Sequence, residues 1–401
     1  MHSVPVNHQG AELYYDDSGA PSNASVYTTL VIIHGAIFNG GIFQRVAQNA
    51  ASNNLRVLSV YHRDVLPSTA FTPAELRVFK SDDPRVHEAW LGERLLEYVN
   101  LLTYFVEKGN IPAYDEGEGT GGLSIMGWSA GNCYTIPLLG SVNTALPENK
   151  TKILEKYIRS FILFDLPYHC IGEPMPTFDV LYSPLTDPSL KYPESFTKLV
   201  HWNASYYTHS PKITSCFSST SVSTQANLDS FPTRKTIFKE GLLGQVSDLK
   251  PTCTIDRIPQ EMMSSLVQSS GKKSERHPPD PPPMTPLLSP NMYRSFSDRA
   301  FSTPTTRVSG STDANEDNGN RPLNLVWPKI KVEVLVCERT MPHCIHANLE
   351  LKRRILEAER DRLRNPCQSR DVRFWLLEGY NHYPHWEDPE FFTKFIAGIS
   401  I

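Results

Sequence analysis

A serine hydroxyl is a weak nucleophile at neutral pH unless a base takes its proton and donors receive the charge it creates. Gly127-Trp128-Ser129-Ala130-Gly131 sets one serine where that chemistry is feasible. The apolar run Leu123-Ser124-Ile125-Met126 precedes it, and a helix-compatible stretch, 132–142, follows. A Gly-x-Ser-x-Gly at a strand-to-helix turn bends the chain so sharply that the serine takes a strained backbone conformation. Only small residues fit two positions to either side. The serine oxygen then stands clear of the sheet, above the positive end of the following helix.

The other parts of such a site have candidates. The base should be a histidine on a loop able to reach the turn. Gly379-Tyr380-Asn381-His382 follows the last strand-like run directly. His382 is preferred to His385 because it comes first after the strand and adjoins the turn-forming Asn381. Backbone N–H groups of Ala130 and Ala36 are the expected oxyanion donors, the second because Gly35 lets the backbone approach closely. A carboxylate must orient the histidine and stabilise its cation. Asp165 follows the wholly apolar Phe161-Ile162-Leu163-Phe164, where an unpaired charge would be costly. Glu338 ends the next strand in the same way, but Arg339 beside it offers a plain surface ion pair. Asp165 is the preferred third member and Glu338 the alternative. No cofactor or metal is required. Cys337, His343, Cys344 and His346 match no zinc spacing, and no C-x-x-C pair exists.

Apolar runs at 30–33, 55–61, 123–126, 158–164, 330–336 and 372–377 read as buried strands. A shorter run at 11–17 reads as an edge strand. Helical periodicity marks 88–107, 347–364 and 391–399, with a further helix near 42–51; the charges of 352–364 alternate as on a solvated face. Strands alternating with helices imply an α/β fold with a mostly parallel sheet covered on both faces.

The chain has 401 residues, 40% hydrophobic, with a formal net charge of −4. That supports a large core and leaves no basic footprint for nucleic acid. No apolar run reaches membrane-spanning length. The seven scattered cysteines and a polar N-terminus agree with a reducing, cytoplasmic setting. Residues 264–325 combine Pro278-Pro279-Asp280-Pro281-Pro282-Pro283 with serines, threonines and charges, a composition expected to be disordered. Between 211 and 263 the reading is open, with a short helix conceivable at 237–249.

The sequence resembles the α/β-hydrolase superfamily over about 12–165 and 327–399. The resemblance rests on His34-Gly35, the Ser129 turn, and Asn381-His382-Tyr383-Pro384-His385-Trp386-Glu387-Asp388-Pro389-Glu390, which is similar to the family's histidine loop. It is closest in character to fungal members with a lid after the sixth strand. It implies a core of residues 1–166 and 326–401, a lid at 167–263, and His382 as base. The family's usual acid position falls at about Thr340, where no aspartate stands; Asp165 matches relatives with the acid one strand earlier. The expected function is that of a serine hydrolase acting on an ester, lactone or thioester of a small, apolar acyl substrate, in secondary metabolism or lipid ester turnover. An acyltransferase using the same residues, or a non-catalytic ligand-binding protein, are the alternatives.

Overall fold

The computed structural model describes residues 1–141, 145–177, 180–191, 193–217, 231–232, 245–246, 253–267, 290–304, 326–364 and 367–400. Eight strands form one sheet: β1 (His2–Pro5), β2 (Glu12–Asp17), β3 (Thr28–Ile33), β4 (Leu55–Val60), β5 (Leu123–Trp128), β6 (Ile158–Phe164), β7 (Lys331–Cys337) and β8 (Val372–Leu377). Their spatial order is β1-β2-β4-β3-β5-β6-β7-β8. β1 and β2 are antiparallel, β2 pairs antiparallel with β4, and every later pairing is parallel. The fold is α/β, with a mostly parallel sheet as expected.

The central strands β3, β5 and β6 are buried along their whole length and mostly apolar because both faces are covered. Alternate residues enter different layers, as a period of two requires. Val31, Ile33, Ile125, Phe161 and Leu163 pack with α1 (Pro84–Lys108) and α2 (Asn132–Leu139). Leu30, Ile32, Met126, Ile162 and Phe164 pack on the other side, against Ile42, Val46 and the closing helix. The strands end together at one edge, so the loops after β3, β5, β6 and β8 converge there.

Several expectations change. The 11–17 stretch is not an edge strand: β2 lies between β1 and β4, and β1 forms the edge. A four-residue strand ending in Pro5 carries too little pattern to read. Part of the stretch expected to be disordered is ordered. Helix α3 (Pro290–Phe301) buries Met292, Tyr293, Phe296, Ala300 and Phe301 in the core; 268–289 and 305–325 lie outside the described residues. The composition of a long window conceals this one amphipathic turn pattern. In 237–249, Gln245–Val246 is a strand paired with Tyr207–Thr208, and the remainder lies outside the described residues. Helix α4 (Pro342–Arg364) begins five residues before its expected start, and part of its charged face is buried. Arg354 there donates to Ile171 O at 2.7 Å and pairs with Glu173, while Lys352 Nζ donates to Cys216 O at 2.7 Å. Arg63 bonds Glu97 at 2.6 Å and Glu75 at 3.1 Å, a structural pairing. Among the described residues, no helix is long and apolar enough to cross a membrane.

The described segments of the region expected to form a lid are tied to two of the convergent loops. Asn39, in the loop after β3, donates its backbone N–H to Leu266 O at 2.8 Å and its amide to Ser265 O at 2.7 Å. Asn381, after β8, donates to Ala204 O and Thr254 Oγ1, both at 2.8 Å. Thr254 and Arg257 in turn reach Glu387.

Candidate active site

Ser129 has φ 53°, a left-handed conformation that is costly for a residue with a Cβ. The flanking glycines explain how the turn closes. A Cβ on Gly131 would lie 2.2 Å from Ile33 O and 2.7 Å from His34 O. One on Gly127 would lie 2.6 Å from Thr135 Oγ1 and 2.8 Å from Asn132 Oδ1. The turn is therefore wedged between the end of β3 and the first turn of α2, which holds the strain in place. Asn132 Nδ2 donates to Ser129 O at 2.9 Å, and Cys170 Sγ lies 3.6 Å from the same oxygen. Ser129 itself is partly exposed.

The loop after β3 is fixed by two histidines. His62 N–H donates to His34 Nε2 at 3.2 Å, so His34 carries its proton on Nδ1 and donates to Gly35 O at 2.8 Å. His62 Nε2 donates to His34 O at 2.7 Å, and Tyr98 O–H donates to His62 Nδ1 at 2.6 Å. Burial holds both rings neutral, His62 down to about 4 and His34 well below the ordinary range, with the second imidazole adding to the effect on His34. The Gly35 carbonyl and the Ala36 N–H belong to one trans peptide and point in opposite directions. With the carbonyl held by His34, the Ala36 N–H is turned away from it. Ala130 is the second residue of the short helical turn Ser129–Gly131, whose first N–H groups have no acceptor within the turn.

Asp165 stands directly after β6, fully buried, with φ 47°. Its Oδ2 lies 2.5 Å from His382 Nδ1 and 2.5 Å from Thr340 Oγ1, and Cys337 N–H donates to Oδ1 at 3.2 Å. Cys344 Sγ donates to its backbone carbonyl at 3.3 Å. A buried carboxylate is tolerable with that many donors. The His382 ring lies 5.0 Å from the Trp128 ring, and Trp128 Nε1 donates to His382 O at 3.2 Å. The histidine loop is thus anchored to the residue before Ser129. Among the described residues, no hydrogen bond joins Ser129 Oγ to His382, whose Nδ1 is engaged with Asp165.

The other candidates fall elsewhere. Glu338 Oε2 accepts from Gly379 N–H at 2.8 Å and braces the start of the histidine loop; it makes no contact with His382. His385 is fully buried against Phe43, with ring centroids 4.5 Å apart, and against Trp128 at 4.6 Å. Neither of its ring nitrogens has a hydrogen-bond partner, and burial, then the neighbouring His382, drives it well below the ordinary imidazole range. It serves packing. His343 is buried between Tyr168 and Trp202 and is pushed down to about 3 by burial.

Thr340 is the participant that sequence reasoning passed over. It stands where the resemblance led an acid to be expected, and its hydroxyl donates to Asp165, the carboxylate one strand earlier. The absence of an aspartate at 340 was visible in the sequence, but the donation of the threonine hydroxyl to Asp165 was not.

No family model and no curated protein matches the chain. Among solved structures it is similar to a carboxylesterase of the ammonia-oxidizing thaumarchaeon Nitrososphaera gargenis, at 11% identity over 99% of this chain and 97% of that one, with a TM-score of 0.44. A thioesterase domain from the curacin biosynthetic pathway aligns at 11% identity over 100% and 99% of the two chains, with a TM-score of 0.42. A thermophilic esterase from Thermogutta terrifontis aligns at 12% identity over 100% and 98%, with a TM-score of 0.44.

Proposed function

We propose that this chain is a serine hydrolase that cleaves an ester, lactone or thioester through an acyl-enzyme. The observation that carries the reading is the fully buried Asp165 held 2.5 Å from His382 Nδ1, on a loop that packs against the residue preceding Ser129. A carboxylate in that position fixes the imidazole tautomer, leaving Nε2 free of the Nδ1 proton and able to act as base. Ser129 Oγ attacks the carbonyl carbon while His382 Nε2 takes its proton. The oxyanion is received by the Ala36 and Ala130 N–H groups, and Asp165 stabilises the imidazolium. The same proton then passes to the leaving oxygen or sulfur, and water repeats the sequence to release the acid.

A fluorophosphonate probe tests the proposal, since it reacts with an activated serine and spares an idle one. The wild-type chain should label stoichiometrically and Ser129→Ala not at all. Asp165→Asn should slow labelling about a thousandfold or more, by presenting the wrong imidazole tautomer. Equal labelling of Ser129→Ala, or none of the wild type, would remove the reading and favour a binding protein.

A further inference from the structure

A second group of reactive side chains lies directly behind the Ser129 turn. Cys133 is in the first turn of α2, four residues after Ser129. His169 and Cys170 belong to the short turn Tyr168–Ile171 that follows β6. The two Sγ atoms are 3.4 Å apart, and one ligand atom from each of the three residues lies within 4.8 Å of the others. Both cysteines are fully buried, and neither is in a disulfide. His169 Nε2 is buried, and the ring stands within side-chain hydrogen-bonding reach of Cys133.

We propose that Cys133, His169 and Cys170 form a binding site for a soft divalent ion of the zinc class. Two thiolates each about 2.3 Å from zinc in a tetrahedral site are about 3.8 Å apart, close to the spacing already present. A nitrogen about 2 Å from the same ion would lie about 3.5 Å from each sulfur, a small adjustment from the observed group. The ion would take the place of the contacts that Cys133 makes with Cys170 and His169, with a His169 ring nitrogen as its third ligand. Thiolate and imidazole donors without a carboxylate favour zinc or its soft relatives over magnesium or calcium.

The other compact group, Asp165, Cys344 and His382, is already joined by its own hydrogen bonds and belongs to the site described above. An ion at Cys133, His169 and Cys170 would tie α2 to the turn after β6 and draw Cys170 away from Ser129 O. With three protein ligands the ion would keep a fourth position for water, and the hydrolytic chemistry does not pass through it.

Cadmium reports on the site because thiolate-to-cadmium charge transfer absorbs in the ultraviolet. The full chain, reduced and stripped of metal under anaerobic conditions, should bind one Cd²⁺ with such a band, and Zn²⁺ should abolish the band by competition. Cys133→Ser and Cys170→Ser should lose it, His169→Gln should weaken binding at least tenfold, and Cys344→Ser should retain it. If a serine variant fails to fold, the wild type still decides the matter: Zn²⁺ should protect Cys133 and Cys170, identified by peptide mapping, from alkylation. A band that Cys344→Ser removes, absence of a band at one equivalent, or unprotected cysteines would overturn the proposal. Formation of a Cys133–Cys170 disulfide that Zn²⁺ does not prevent would also overturn it, in favour of a redox pair.

Discussion

Thr340→Val is the sharpest perturbation of the acid–histidine pair. The Asp165 carboxylate receives His382 Nδ1 and Thr340 Oγ1 at one oxygen, both at 2.5 Å, and Cys337 N–H at the other at 3.2 Å. Valine keeps the shape of threonine and puts a methyl group where the hydroxyl was. Asp165 and Thr340 are both wholly buried, so no water replaces the lost donor. A hydrogen bond to a charged group contributes about 1.5–3 kcal/mol, and leaving a buried acceptor short of a partner carries its full desolvation cost. Thr340→Val should therefore lower the urea-unfolding free energy by about 2 kcal/mol. If the same bond holds Asp165 in register with His382, fluorophosphonate labelling should slow by about 10- to 100-fold at neutral pH, with Thr340→Ser close to wild type. Labelling within twofold of wild type and stability within about 0.5 kcal/mol, well under the smallest contribution of a charged hydrogen bond, would refute the reasoning. A stability loss equal in the valine and serine variants would assign Thr340 to packing alone.

Two further outcomes follow from the same geometry. Gly131→Ala should destabilise by about 3 kcal/mol or more, because the added carbon meets Ile33 O at 2.2 Å and neither backbone can retreat; an unchanged melting temperature would contradict the wedged turn. The fold should also be acid-labile: His62 titrates near 4 in the native state and near 6.5 when unfolded, so the unfolded chain binds more protons between those values and stability falls as pH drops through them. At 1.36 kcal/mol per unit this one ring accounts for about 3 kcal/mol, and His34, His343 and His385 act in the same direction. Equal urea midpoints at pH 7 and pH 5 would show that these rings are not buried neutral.

Short-range features were legible in the residue order. A mostly apolar run of strand length bounded by turn formers favours a strand in a covered sheet, and β6 and β8 lie where their patterns place them. The Ser129 turn was readable because its constraint is local: glycines two residues either side answer to backbone atoms close in space and to the adjacent helix. Asp165 was readable because a carboxylate after four apolar residues demands a partner. Its further donors, Thr340 and Cys337, come from more than 170 residues away and cannot be read from spacing. Helix α3 shows the same limit. Its backbone approaches Gly140 and Gly172 so closely that a Cβ on either would lie 2.2 Å from a main-chain atom, a fit that composition cannot reveal. The pairing of Cys133 with Cys170 also arises only when α2 and the turn after β6 meet.

Local order in this chain is set by periodicity and by the steric freedom of single residues, both written in consecutive positions. Which carboxylate meets the histidine, which hydroxyl supports it, and which thiols face each other depend on where the parallel strands end relative to one another. That register is set by burying both faces of the sheet at once, a property of the assembled layers that no single segment possesses.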